Sequence, residues 1–230
     1  IDRVVDSGHD LRSVLVTPSR VERITERVPH LSDGDVPLYV MTRDLMAQAV
    51  GFDLHRGVVA SAWRRAIRTV DQLVASPARR IAVLVGLNDA ENVGVISRAA
   101  RALGIDAILL DPTCTDPYSR RTVRVSMGEV LHVPIARSTD WPDDVTTLHA
   151  GGFTTWSMTP ADDAIDLWSV RPHELPDRLA IVVGAEGPGL DDATMRATTT
   201  RVRIPIDPGV DSLNVGHAAA ITFAAVARPA

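Results

Sequence analysis

Hydrophobic and polar positions along the chain change rhythm near residue 80. Beyond it, short apolar runs alternate with helical stretches: IAVLVGL (81–87), AILLD (107–111), HVPIAR (132–137), GFTTWSMT (152–159), LAIVVG (179–184) and RVRIPI (201–206). The run 81–87 is continuously apolar, which reads as a parallel strand buried on both sides. About six strands separated by helices predict a mostly parallel α/β sheet with helices on both faces. Ligands of such sheets bind beyond the carboxyl ends of the strands.

Residues 1–70 predict a small α/β unit of their own. SVLVTP (13–18), VPLYVM (36–41) and GVVASAWR (57–64) read as strands. SRVERITERVPHL (19–31) reads as a helix capped by Ser19, with Val21, Ile24 and Val28 at helical spacing. TRDLMAQAVG (42–51) reads as a second helix, stopped by Gly51. A connecting helix and linker follow, with Pro77 marking the end. The expected division is a first domain at 1–70, a linker at 71–79 and a second domain at 80–230.

Composition narrows the chemistry. The chain of 230 residues is 45% hydrophobic but only 4% aromatic, so Val, Ile, Leu and Ala must build the core. No apolar stretch approaches the ~20 residues that span a bilayer, and the charged start IDRVVDSGHD carries no secretory signal. There is no starting Met, so residues are expected to precede Ile1. The single cysteine, Cys114, excludes an internal disulfide, fits a reducing cytoplasm and reads as a bystander in a turn. The seven His residues have no metal-ligand spacing, so no metal is expected. All 24 basic residues are Arg, which excludes a Walker lysine, a Schiff-base lysine and a lysine general base. Arginine still binds phosphate, and a net charge of −5 leaves room for a local basic patch.

Three turns stand at predicted strand ends. The first holds Asn88, Asn92, Gly94 and Arg98, with a helix expected to start near Asn92. That helix start either presents Asn92 and Arg98 to an anion or is simply an Asn cap with an exposed Arg. The second, GAEGPGL (184–190), packs three Gly and a Pro around one charge, Glu186. It lets a ligand approach the backbone closely, or it is a tight turn before a helix at Asp191. It is not GxGxxG, so it supports no dinucleotide site. In the third, IPIDPGVDSLNVGHAAA, Ser212 and Asn214 are spaced to cap a helix beginning near Asn214.

Together, NDAENVGVISRAARALG, LAIVVGAEGPGL and IPIDPGVDSLNVGHAAAI resemble, in order and spacing, the three motifs of the SpoU (TrmH) class of SPOUT RNA methyltransferases. RVSMGEVLHVP (124–134) looks like a further family segment, and the N-terminal unit, ending in HRGVVA (55–60), is similar to the ribosomal-protein-like RNA-binding domain of many members. The resemblance implies a deep trefoil knot in the C-terminal domain, an exception to the rule that chains avoid knots. It implies S-adenosylmethionine held by Gly184, Ile204 and Leu213, and a ribose 2′-hydroxyl of RNA as methyl acceptor, with rRNA favoured over tRNA. Arg98 matches the arginine at the reacting ribose, with Asn92, Glu186, Ser212 and Asn214 orienting groups around it. Family dimers bury the last helix, which suits the Ala-rich stretch 218–227 and implies a homodimer. Arg120, Arg121 and Arg124 are the densest basic run of the second domain and either contact RNA phosphates or form a solvated helix face. The alternative function is a non-catalytic RNA-binding protein that kept the scaffold; a nucleotide-binding α/β enzyme has no motif to support it.

Overall fold

The computed structural model describes residues 1–52 and 57–227. His55 and Arg56, the start of HRGVVA, lie outside the described residues. The chain forms two compact units, Ile1–Ala66 and Ile67–Ala230.

In the first unit the elements are α1 (Asp2–Asp6), β1 (Leu11–Val16), α2 (Val21–Arg27), β2 (Leu38–Val40), α3 (Arg43–Val50) and β3 (Val58–Ala62). The sheet order is β2-β1-β3, with β2 parallel and β3 antiparallel to β1. Leu11 and Val14 meet Val28 and Leu31 in a small core. The helix expected over 19–31 is α-helical only at Val21–Arg27, between 3-10 turns at Pro18–Arg20 and Pro29–Leu31. Ser19 is therefore not its cap. Pro29 supplies no amide donor and pushes Val28 out of helical geometry, to ψ 77. Helix α3 follows the expectation: the Thr42 hydroxyl accepts from the Leu45 amide, and Gly51 ends it at φ 75.

The second unit runs α4 (Val70–Val74), β4 (Arg80–Leu84), α5 (Ala90–Ala102), β5 (Ala107–Leu110), α6 (Arg120–Val125), β6 (Ile135–Arg137) and α7 (Asp144–Ala150). It continues through β7 (Thr154–Met158), β8 (Ile165–Asp166), β9 (Leu179–Val183), α8 (Asp192–Ala197), β10 (Thr200–Arg203) and α9 (Val215–Val226). Strand order is β6-β5-β4-β9-β7-β10-β8. Every neighbouring pair is parallel. A seventh, two-residue strand at Ile165–Asp166 joins the six expected from the sequence.

Alternation along the strands sends side chains to two cores. Ala82, Leu84, Ile108, Ile181 and Val183 pack with Val93 and Ile96 of α5 and with Ala219 and Phe223 of α9. Ile81, Val83, Leu109, Ala180 and Val182 pack with Val70 and Leu73 of α4 and Leu148 of α7. Helices thus cover both faces, as strands buried on both sides require. Residues 71–79, expected as a linker, instead bury Leu73 and Ala78 in the second core. A capping box between Thr69 and Gln72 starts α4. Close helix packing depends on glycine. A Cβ on Gly94 would come within 2.9 Å of Val125 on α6, and one on Gly216 of α9 within 2.9 Å of Val95 on α5.

Candidate active site

Strands β9, β7 and β10 are neighbours, and the chain leaving their carboxyl ends encloses a cavity of about 530 Å³. One wall is the loop 184–190. A Cβ on Gly184 would lie 2.4 Å from the Gly189 carbonyl carbon and 2.6 Å from the Leu190 nitrogen, so only glycine fits. The loop doubles back there, and the Gly189 amide donates to the Ala185 carbonyl at 3.1 Å. Gly187 and Gly189 take φ 85 and 69, which lets the chain reverse without strain.

The facing wall is the loop after β10, through Ile204, Ile206, Ser212, Leu213 and Asn214. Asn214 caps α9: its Oδ1 accepts from the Gly216 amide at 2.9 Å and the His217 amide at 3.4 Å. Its Nδ2 donates to Glu186 Oε1. One side chain therefore starts the last helix and ties the two loops together. Among the described residues Glu186 is the one charged side chain lining the cavity, beside mostly apolar residues and the neutral polar Thr159, Ser212 and Asn214. Ala218, one turn into α9, completes this side.

A third wall was missed in the sequence: Met158, Thr159 and Pro160 after β7, with Met195 of α8. The signal was available, since Thr-Pro closes a strand at the same end of the sheet. The Thr159 amide donates to the Val202 carbonyl at 3.0 Å. Beyond it, Asp162 pairs with Arg203 at 3.1 Å and Asp163 with Arg201 at 2.5 Å, pinning the turn to β10. Asp191 caps α8 by accepting from the Thr194 amide at 2.7 Å, which holds its carboxyl below the usual range.

Gly184, Ile204 and Leu213, expected around the cofactor, all line this cavity, as do Glu186, Ser212 and Asn214. Asn92 and Arg98 do not. Helix α5 starts at Ala90, not near Asn92, because the Asp89 side chain caps it by accepting from the Glu91 amide. Asn92 is thereby a half-buried first-turn residue, and Arg98 is exposed two turns along, with no ion pair to any described residue. The first loop still adjoins the second: a Cβ on Gly86 would touch that of Ala185 at 3.4 Å.

Arg120, Arg121 and Arg124 are all exposed on α6. Arg121 pairs with Glu91 of α5, whereas Arg124 has no ion pair to any described residue. Met127 follows in left-handed geometry at φ 56 with its side chain in solvent. Cys114 is buried, and burial beside Asp111 pushes its thiol up to about 12, which fits a bystander. Among the described residues no group of His, Cys, Asp or Glu is arranged to hold a metal ion, and no helix is long and apolar enough to cross a membrane.

Residues 79–224 match the SpoU rRNA methylase family. The chain belongs to that family. An uncharacterized tRNA/rRNA methyltransferase of Mycobacterium tuberculosis is 46% identical over 201 residues, covering 87% of this chain and 69% of the relative. RlmP of Bacillus subtilis, a 23S rRNA (guanosine(2553)-2'-O)-methyltransferase, is 25% identical over 95% of this chain and 85% of its own. An AdoMet-bound rRNA methyltransferase from Sinorhizobium meliloti superposes with a TM-score of 0.83 at 24% identity, covering 98% of this chain and 84% of that one. The three sequence motifs thus identified the SpoU family correctly. Two of them face the cavity and the first lies beside it.

Proposed function

We propose that this SpoU-family chain transfers a methyl group from S-adenosylmethionine to a ribose 2′-hydroxyl of RNA, with rRNA as the substrate class, as a cytoplasmic homodimer. The observation that carries the reading is the cavity whose two glycine-bearing loops are joined by the Asn214–Glu186 bond. Its size falls in the ~300–1,000 Å³ range of small-molecule sites, and its lining is mostly apolar with a few convergent polar groups, as such sites are. A carboxylate as the one charge among the described lining residues suits a sulfonium cation. When bound, the cofactor supplies an electrophilic methyl group, and no metal is required.

Gly184, Ile204 and Leu213 would hold the cofactor, largely through backbone. Strand β9 sits between β4 and β7, both earlier in the chain, which supports the trefoil knot implied by the family. Ser212, Asn214 and Glu186 would orient the ribose, which is catalysis by positioning. The 2′-hydroxyl must lose its proton as its oxygen bonds to the methyl carbon. Arg98 is a poor base, since its pKa exceeds ~12. Its role is to grip the adjacent phosphate and stabilise the developing alkoxide, the proton leaving to phosphate or water.

Because Arg98 stands outside its own chain's cavity, a second copy completes the site. Helix α9 turns Phe223 and Ala219 inward and leaves His217, Ala224 and Ala225 exposed, an Ala-rich face suited to its counterpart. Arg98 of the partner subunit would then reach the cavity mouth. The RlmP relationship supports ribose as acceptor and rRNA as substrate. The first unit is read as the ribosomal-protein-like RNA-binding domain. Mapping 2′-O-methyl groups in rRNA and tRNA from strains with and without the protein tests this reading. Loss of one rRNA 2′-O-methyl group is expected; an unchanged map, or loss of a base methyl, overturns it.

A further inference from the structure

Strand β1 carries an irregularity that its neighbour does not. Leu11 pairs with Ala62 and Ser13 with Ser61, so Arg12 is an extra residue with no partner on β3. Such bulges re-aim the side chain they carry. Here the Arg12 guanidinium lies over the Trp63 ring, 5.1 Å from its centroid. Trp63 is the first residue after β3, and its amide donates to the Asp10 carbonyl at 2.8 Å, which fixes the indole beside the bulge. Yet Trp63 is 59% exposed and is not among the residues of the unit's core. An indole of that exposure leaves most of its apolar surface in water.

The surroundings are basic. Arg64 and Arg65 follow directly, both exposed. The Arg65 Nη2 donates to the Gly8 carbonyl at 2.5 Å. Gly8 takes φ 70, and a Cβ there would come within 2.7 Å of that nitrogen, so glycine makes room for the guanidinium. Asp10, also exposed, is the one carboxylate on the Gly8–Arg12 segment. One guanidinium is thus held over an exposed indole, and a second, Arg65, is anchored on the Gly8 carbonyl two residues further along the chain. Cations that bind phosphate beside a ring that stacks on bases match unpaired nucleic acid, which offers both groups at every nucleotide.

We propose that Arg12 and Trp63 form a stacking platform for an unpaired base of the RNA substrate, with Arg65 binding the neighbouring phosphate. The proposal rests on the reading of the chain as an RNA enzyme and assigns the first unit a site for single-stranded rather than helical RNA. Arg12 covers one face of the indole, which leaves the other for a base, and the bulge holds the pair ready before RNA arrives.

The test is fluorescence anisotropy of the full chain with labelled single-stranded oligoadenylate and with a blunt RNA duplex. Trp63→Ala should weaken oligoadenylate binding roughly 5- to 100-fold, as the loss of one stacked base does. Trp63→Phe should restore most of it, and Arg12→Ala should weaken binding and flatten its salt dependence. Duplex affinity and calorimetric affinity for S-adenosylhomocysteine should not move, which also shows that the variants are folded. Wild-type oligoadenylate affinity in Trp63→Ala, or an equal loss for the duplex, overturns the platform. If the platform fails while the wild-type protein still methylates rRNA, only this inference falls. If the platform holds but no methyl transfer is found, the enzymatic reading falls instead. Oligoadenylate binding lost in Trp63→Ala only together with the calorimetric signal marks the indole as structural and overturns the proposal.

Discussion

The cavity between β9, β7 and β10 and the arginine surface of α5 and α6 serve one proposed reaction but are built in opposite ways. The cavity is made of backbone: Gly184 against Gly189, positive φ at Gly187 and Gly189, and one asparagine joining two loops. Its groups are fixed before any ligand arrives. The arginine surface is made of long exposed side chains on regular helices, among which Arg98 and Arg124 have no ion pair to a described residue. A preorganised pocket suits one small cofactor; flexible exposed cations suit a large anionic substrate that orders them on arrival. The contrast bears on the proposal: the residues assigned to the donor line one cavity of the chain, whereas Arg98, assigned to the acceptor, does not line it.

Substitutions on the two sides should therefore fail differently. Gly184→Ala has the largest expected effect. Its methyl group meets backbone, which cannot yield cheaply, so S-adenosylhomocysteine affinity should fall at least ~100-fold by calorimetry. Arg98→Ala should leave that affinity intact while kcat for transfer falls roughly 100- to 1,000-fold. Normal turnover in this variant would remove Arg98 from the reaction. If Arg98 acts across a dimer, mixing the two inactive variants should restore activity, because each heterodimer then contains one intact cavity facing one intact Arg98. No recovery on mixing would place both functions in one chain.

Asn214→Ala straddles the comparison. It removes a helix cap and should cost about 1 kcal/mol of stability in urea unfolding. It also frees Glu186, so cofactor affinity should fall as well; a stability loss without an affinity loss would make Asn214 a cap alone. The smallest effect belongs to Asp162→Ala. Its pair with Arg203 is exposed and worth at most about 1 kcal/mol, so KM for the cofactor should rise no more than about fivefold, with kcat unchanged.

The sequence made one half of this site more legible than the other for the same physical reason. Glycines forced by close backbone approach leave fixed residues at fixed spacing, and so GAEGPGL and the Asn214 cap could be read directly. The parallel sheet was equally readable, because strands buried on both faces have no polar side. The start of α5 was misplaced because Asp89 and Asn92 are both good caps and only the fold decides between them. The Met158–Pro160 wall carried no charge or glycine to draw attention. The helix over 19–31 was too long because its spacing persists through Pro29 while its hydrogen bonding does not. Residues 71–79 were read as a linker because α4 is only five residues long, and its burial depends on partners distant in sequence.

The most direct measurement is transfer of labelled methyl from S-adenosylmethionine to rRNA by the purified protein, followed by digestion to nucleosides. The account predicts label in a single 2′-O-methylnucleoside with wild-type protein, and label lowered roughly 100-fold or more with Gly184→Ala at limiting cofactor and with Arg98→Ala. Label on a base, or undiminished transfer in both variants, would contradict it.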